Sequence, residues 1–354
     1  MKTIGMIGTH GKTSILYILE HILFYGKRNV ASLGDLGLRM NKNKLPNDIA
    51  WMEAIEEMKK NDVEFLLVEI HDNTMFFDMA FDCVILSAMD KSKNKDVLEG
   101  YKRLICNAKS VLLNADSKGS LELIKGISNL YVITYGLNSK STVTASTIYV
   151  SEGRIEYNYY LQRGILSAGS KEVMIQEMPI VCNLLGYQNI YNTIAVITTA
   201  LLFDINIEES VKALTCIEPI QNRLELRKYK DMTFVFDMAK DNRSIKMLFE
   251  TFQYIYYEHL HIVISMENLE GILSGALEEF LEDFSYIRNA NMYAVGKRKK
   301  ILDNKKKDIL ADALVKNHID FKYYSDVKQF IGKDALRNGE DSLIVCIGFH
   351  HRLF

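Results

Sequence analysis

The stretch Gly8-Thr9-His10-Gly11-Lys12-Thr13-Ser14 lies directly between an apolar run, residues 3–8, and a segment, 13–24, rich in Ile and Leu on nearly every face. A buried strand that turns within a few residues into a buried helix leaves few folds open. Both elements need cover on more than one side, and a parallel sheet coated by helices on both faces supplies it. The chain keeps this rhythm as it continues. Residues 64–70, 82–88, 110–114 and 130–135 are short apolar runs, with helical stretches such as 49–60 and 97–107 between them. Such alternation predicts an α/β fold on a parallel sheet.

The rhythm breaks between about 140 and 180. There, residues 142–150 and 154–161 alternate polar with β-branched or aromatic side chains around Ser151-Glu152-Gly153, the pattern of an antiparallel hairpin. Helical character returns at 187–203 and 207–214. A second strand–helix series starts near residue 232, with strand-like runs at 233–236, 261–265, 291–295 and 343–347. With 354 residues the chain is long enough for two domains, and Glu218-Pro219 marks the expected boundary. The expected domains are therefore 1–218, carrying the β insertion, and 219–354.

Composition narrows the function classes. Apolar residues make up 48 % and charged residues 25 %, which excludes a largely disordered chain. A net charge of −2 supplies no global field for nucleic acid or an anionic membrane, so neither is expected as a partner. Five widely spaced Cys without a CxxC pair argue for reduced thiols and against a zinc ribbon. No apolar stretch approaches the ~18 residues that span a bilayer, and the N-terminus lacks a signal-peptide pattern; the expected location is cytoplasmic. Residues 297–307 hold seven basic side chains in eleven, read as a solvated surface with an anion or acidic-partner patch as the alternative.

The glycines of the loop allow the backbone to fold around an anion with N–H groups pointing inward, and the helix N-terminus adds partial positive charge. Lys12 can reach terminal phosphates, and the Thr13 hydroxyl can ligate Mg²⁺. The usual spacing of such loops wants a glycine at position 6, where this chain has Met6, so the strand–loop–helix context carries the assignment. The bland alternative is a tight turn. Glu69 ends the apolar run Phe65-Leu66-Leu67-Val68 at the sheet edge where ligands of α/β folds gather, and is the candidate second metal ligand; a strand-capping surface acid is its alternative. His71 and Asp72 lie just beyond, as possible supports or plain loop residues.

The loop Gly8–Ser14 resembles the nucleotide loop of the Mur ligase family, ATP-dependent amide-bond ligases that include the muramyl-peptide ligases, folylpolyglutamate synthetase, and the cyanophycin and poly-γ-glutamate synthases. Further resemblances follow in the family's order. Val68-Glu69 resembles its metal-binding Glu, and Val111-Leu112-Leu113-Asn114-Ala115-Asp116 its "VLNADD" strand end. Gly186-Tyr187-Gln188-Asn189-Ile190-Tyr191-Asn192 resembles its "GxHNxxN" helix start, and Asn222-Arg223-Leu224-Glu225 its "GRxE" segment. Phe236-Asp237-Met238-Ala239-Lys240-Asp241 resembles "DYAHxP", and Ile344-Val345-Cys346-Ile347-Gly348-Phe349-His350-His351 the closing "LIAGKGHE" strand.

The resemblance implies a P-loop ATPase domain followed by a Rossmann-like C-terminal domain, with ATP and Mg²⁺ as cofactors bound in the cleft between them. It further implies that Gly8, Thr9, His10, Gly11, Lys12, Thr13 and Ser14 cradle the nucleotide, with Asn189 and with Asn192 facing adenine. Lys12 and Arg223 would neutralise the transferred phosphoryl group, Thr13 and Glu69 would hold Mg²⁺, and Asp237 would bind ribose or orient the closed form. Lys240, in place of the family's His, joins the catalytic candidates. The implied substrates are a small-molecule acid and an amino acid or amine.

Three departures shape the expectation. The family's N-terminal UDP-sugar domain is absent ahead of a loop that starts at residue 8, so a substrate without a UDP anchor is expected. Where the family often has Asp-His for a second Mg²⁺, this chain reads Asp90-Lys91-Ser92-Lys93. Where many members carry a carbamylated Lys, it has Ile105. A ligase is the leading reading. The alternatives are a family-like ATP-binding subunit acting with a protein partner, and a poly-γ-glutamate-synthase-like enzyme.

Overall fold

A computed structural model describes residues 1–46, 51–72, 78–89, 94–151, 153–229, 232–239, 241–269, 290–296, 315, 320–326, 329 and 341–350. Two compact units emerge. One comprises Met1–Tyr149, Ile155–Asn183 and Gln188–Ile217; the other Val150–Arg154, Leu184–Tyr187 and Glu218–Phe354. Lys240, residues 90–93, residues 297–307 and His351 lie outside the described residues.

The first unit opens with β1 (Lys2–Ile7) and α1 (Lys12–Tyr25), followed by β2 (Val30–Gly34), β3 (Gly37–Met40), β4 (Asn43–Lys44) and α2 (Trp51–Lys60). Then come β5 (Phe65–Glu69), β6 (Cys83–Leu86), α3 (Lys95–Cys106), β7 (Ser110–Asn114), α4 (Lys118–Ile124) and β8 (Val132–Tyr135). The chain continues through β9 (Val143–Ser151), β10 (Arg154–Leu161), β11 (Ile165–Leu166), β12 (Glu172–Val173), β13 (Gln176–Cys182), α5 (Gln188–Leu202) and α6 (Ile207–Thr215).

Eleven strands form one sheet in the order β13-β10-β9-β8-β7-β6-β1-β5-β2-β3-β4. Its centre is parallel from β2 through β8, and β1 sits between β5 and β6. These central strands are continuous apolar runs because helices cover both of their faces. On one face Ala54, Met58, Val97, Tyr101, Leu104, Ile105 and Leu123 pack on Ile7, Val68, Val84, Leu86, Val111 and Leu113. α1 packs against β1, β2 and β5 and also against α5 and α6, so it is buried nearly all round. That sandwiching is the physical reason for its Ile- and Leu-rich composition.

The antiparallel pair β9–β10 extends the main sheet, since β9 joins β8 in parallel at Tyr135↔Val143 and β13 pairs antiparallel with β10. Along β10 every second residue is buried: Ile155, Tyr157, Tyr159 and Leu161. The Tyr157 hydroxyl donates to Thr193 Oγ1 at 2.7 Å, and the Tyr159 hydroxyl lies 3.1 Å from Thr198 Oγ1. The tyrosines are packing residues with satisfied polar tips.

The second unit is built on β14 (Glu225–Tyr229), β15 (Met232–Asp237), α7 (Asn242–Phe252), β16 (His259–Ser265), β17 (Ala290–Val295), β18 (Asp320–Tyr324) and β19 (Ser342–Ile347). Its six-stranded sheet runs β14-β15-β19-β16-β17-β18, parallel except for β14. Ile245, Leu248, Phe249 and Phe252 of α7 cover one face. Phe234, Phe236, Tyr293, Ile344 and Cys346 form a cluster of their own. Buried His261 lies with Nδ1 3.2 Å from the Tyr293 hydroxyl, a structural contact.

Candidate functional site

In the first unit, the sheet order puts the loop after β1 between the carboxyl ends of β5 and β6. Met6 lies opposite Glu69, and Ile7 opposite Leu86. Gly8 has φ +136° and Gly11 φ +88°, conformations open to glycine. A Cβ on Gly8 would come within 2.2 Å of Ser87 Oγ, and one on Gly11 within 2.7 Å of Asn192 Oδ1. Gly11 is the N-cap of α1 and supplies no side-chain cap hydrogen bond.

The N–H groups of Thr9 and His10 donate to Ala88 O at 2.8 and 3.2 Å. Among the expected inward-pointing N–H groups, those of these two residues are therefore turned to Ala88. They instead fasten the loop to the end of β6. That end is itself secured, because the Ser120 hydroxyl donates to Ser87 O at 2.7 Å and Met89 N donates to Ser117 Oγ at 3.0 Å. Lys12, only 9 % exposed, folds its Nζ back onto Gly8 O at 2.8 Å. Ser14 sits in the first turn of α1. Asn192 presses on the loop at Gly11 and donates from Nδ2 to Asn189 Oδ1 at 2.9 Å, both side chains being buried.

Beside the loop, the Thr13 hydroxyl donates to Glu69 Oε1 at 2.9 Å and lies 3.3 Å from Asp35 Oδ2. Glu69 Oε2 accepts from the Asp35 N–H at 3.1 Å. His71 Nε2 stands 3.4 Å from Asp35 Oδ1 and 4.0 Å from Glu69 Oε1. Asp35, Glu69 and His71 each offer a ligand atom, all within 4.8 Å of one another. Thr13 and Glu69 are thus brought together, while Asp35 escapes sequence reasoning entirely. It follows Gly34 in the turn that joins β2 to β3, and a Cβ on Gly34 would meet Glu69 Oε2 at 2.6 Å. An acid in a tight turn carries no distinctive sequence signal. Asp72 takes a different role: its Oδ1 accepts from the Tyr101 hydroxyl at 2.9 Å and ties the segment after β5 to α3. Burial and the Asp72 charge push the Tyr101 phenol well up.

In the second unit, Arg223 lies between two residues in the left-handed region, Asn222 at φ +55° and Leu224 at φ +47°. For a leucine this conformation is strained and must be held by its surroundings. Asp237 Oδ2 accepts from the Leu224 N–H at 2.8 Å, and Glu225 Oε2 from the Asn222 N–H at 2.9 Å. Asn222 Nδ2 lies 2.7 Å from His350 Nδ1, while its buried Oδ1 lacks a partner among the described residues. Asp237 therefore anchors the turn that carries Arg223, a role that sequence reasoning did not assign.

Burial pushes the Asp237 carboxyl up to about 6, opposed by the Leu224 N–H, the Arg223 charge and the Ala239 N–H. From the ordinary 3.8 up to this value, the folded protein keeps a proton that the unfolded chain has released. Stability contributed by this group is present below that window and falls as pH rises through it. Asp237 is only half-buried, so solvent screening reduces the effect. Asp237→Asn, which retains an acceptor for Leu224, is expected to stabilise the protein by ~1–2 kcal/mol at pH 7.5 and by little at pH 4. Urea unfolding at both values checks this; equal shifts at the two would disprove it.

Residues 7–200, more than half of the chain, match the family model described as the Mur ligase middle domain. The chain is 21 % identical over 286 residues to the UDP-N-acetylmuramoyl-L-alanyl-D-glutamate–2,6-diaminopimelate ligase of Oceanobacillus iheyensis, covering 74 % of this chain and 56 % of that protein. A Clostridium acetobutylicum ligase of the same name, number 1, is 20 % identical, with 99 % of this chain and 73 % of the relative covered. The chain thus spans just over half the length of the first of these relatives. Among solved structures, MurF from Acinetobacter baumannii superposes with a TM-score of 0.71 at 12 % identity, over 98 % of this chain and 73 % of that one. Folylpolyglutamate synthase from Thermotoga maritima gives 0.70 at 12 % identity, over 97 % and 85 %. Among the described residues no helix is long and apolar enough to cross a membrane.

Proposed function

The chain belongs to the Mur ligase family, and on that premise we propose that it is an ATP-dependent ligase joining a carboxylic acid to an amino acid or amine. The supporting observation is the loop between β1 and α1. It carries a buried lysine folded onto Gly8 O and a helix start whose Thr13 hydroxyl bonds the Glu69 carboxylate at the end of β5.

In the proposed reaction a carboxylate oxygen attacks the γ-phosphorus of ATP, and the bond to the ADP oxygen breaks. The amine nitrogen then attacks the acyl carbon of the resulting acyl phosphate. Phosphate leaves with the bonding pair, and the nitrogen gives up a proton. Phosphoryl transfer asks the protein mainly for position and charge neutralisation. Lys12 is assigned the neutralising charge at the loop and Arg223 the second one, with Lys240 as a further candidate. The loop Gly8–Ser14 and Asn189 and Asn192 bind the nucleotide, and Asp237 positions Arg223. The Thr13 hydroxyl and Glu69 carboxylate are hard oxygen donors 2.9 Å apart, a fit for Mg²⁺, which would neutralise phosphate charge there.

The finer proposal is an acid without a UDP-sugar. One observation favours a second reading, an ATP-binding subunit that works with a protein partner. Ile105 of α3, where many family members carry a carbamylated Lys, is fully buried in the core and offers no ligand.

The test is phosphate release from ATP with Mg²⁺ and pools of small acids plus amino acids, set beside UDP-N-acetylmuramoyl peptides plus amino acids. Release that needs a small-acid pool and an amine is expected. Release with UDP-linked acids alone would refute the finer proposal, and tight ATP binding without release in any pool would replace the ligase by the subunit.

A further inference from the structure

The donor set beside the phosphate loop is richer than a nucleotide-bound Mg²⁺ requires. Mg²⁺ is ordinarily held by one or two carboxylates together with substrate phosphates, and it keeps several waters. Here two carboxylates, an imidazole and a hydroxyl converge in the chain by itself. Ligand atoms ~2.0–2.2 Å from a shared ion stand ~3–4 Å apart. His71 Nε2 lies 3.4 Å from Asp35 Oδ1 and 4.0 Å from Glu69 Oε1, and Thr13 Oγ1 lies 3.3 Å from Asp35 Oδ2. The Thr13 hydroxyl has one proton for two carboxylates, and the shorter contact, to Glu69, takes it. A cation among these groups would relieve the close approach of the acids.

Placement also suits loading from solvent. The Glu69 side chain is 2 % exposed and fixed by the Asp35 N–H, whereas Asp35 and His71 are 45 % and 44 % exposed. One arm is rigid and buried, and two are reachable. The four residues come from the start of α1 beyond β1, the end of β5 and the segment after it, and the β2–β3 turn, and β5 pairs in parallel with both β1 and β2.

We propose that Asp35, Glu69, His71 and Thr13 form a divalent-cation site that loads without nucleotide and, through the imidazole of His71, prefers a later transition ion such as Co²⁺ to Mg²⁺. Imidazole suits the later first-row transition ions, whereas carboxylate and water suffice for Mg²⁺. The inference rests on the proposed nucleotide site for the roles of Thr13 and Glu69 and extends it to the metal's identity and order of binding.

The test uses the full chain, stripped with chelator and free of nucleotide, titrated with Co²⁺ while visible absorption and heat are recorded. Saturable binding with a ligand-field band is expected, with Co²⁺ binding at least ~10-fold tighter than Mg²⁺. His71→Gln is expected to shift the band and weaken Co²⁺ by ~10–100-fold, and Asp35→Asn to weaken both ions. Both substituted side chains are half-exposed, so the variants should fold. Lys12→Ala separates this inference from the nucleotide reading, since it should lose ATP binding and keep Co²⁺. An absent Co²⁺ signal without nucleotide, an unchanged band in His71→Gln, or equal affinity for Mg²⁺ would each overturn the proposal.

Discussion

Lys12→Ala is expected to lower ATP-dependent phosphate release by ~10²–10³-fold, the ~3–4 kcal/mol that one preorganised charge-stabilising group contributes in a transition state. The lysine is buried with its ammonium 2.8 Å from Gly8 O, so it is already aimed over the loop. Negative charge on the transferred phosphoryl group would draw it from that carbonyl to the phosphate oxygens. The structural cost of its removal is small by comparison, about 1 kcal/mol for the hydrogen bond to Gly8. Rate and stability should therefore separate. Steady-state phosphate release gives the first, and urea unfolding of the same preparation gives the second. A rate within twofold of the wild type would remove Lys12 from the reaction.

Gly8→Ala should have the largest effect on stability, a loss of ~3–5 kcal/mol from backbone strain together with a disrupted hydrogen bond. At φ +136° an L side chain is strained before any contact is considered. The added Cβ then meets Ser87 Oγ at 2.2 Å and Ala88 O at 3.0 Å. Ser87 cannot simply yield, because its hydroxyl donates to Ile7 O at 3.0 Å and its carbonyl accepts from Ser120 at 2.7 Å. The double variant Gly8→Ala/Ser87→Gly should recover the part due to the contact and leave the part due to φ. Urea unfolding of the four proteins measures both parts. A single variant as stable as the wild type would mean that the loop does not hold this conformation.

Much of the fold was legible in the chain. The runs now seen as β1, β5, β6 and β7 are apolar without alternation, since both faces are covered, and such runs announce parallel strands from local sequence alone. Alternation in β10 likewise announced a strand with one buried face. The hairpins were harder to read. β3 and β4 are only four and two residues long, at or below the shortest run in which a period can be recognised. The joining of β9 to β8 also left no local trace, because it depends on a single parallel pairing at Tyr135 and Val143.

The candidate site divides in the same way. Gly8, Gly11, Lys12 and Thr13 were readable because they are consecutive, or nearly so, and their chemistry is set by local backbone geometry. Glu69 was readable from its place at the end of an apolar run. Asp35 was not, as its N–H meets the Glu69 carboxylate across 34 residues of chain only because β2 and β5 are parallel neighbours. Asp237 was expected to bind ribose or orient the closed form; its hold on the Arg223 turn was not legible, since it needs β14 folded back antiparallel on β15. Sequence by itself determined the α/β class and the glycine loop between β1 and α1, since burial pattern and backbone conformation are local properties. Tertiary structure alone decided which distant acids and imidazole surround that loop, because strand order brings together side chains that the chain keeps far apart.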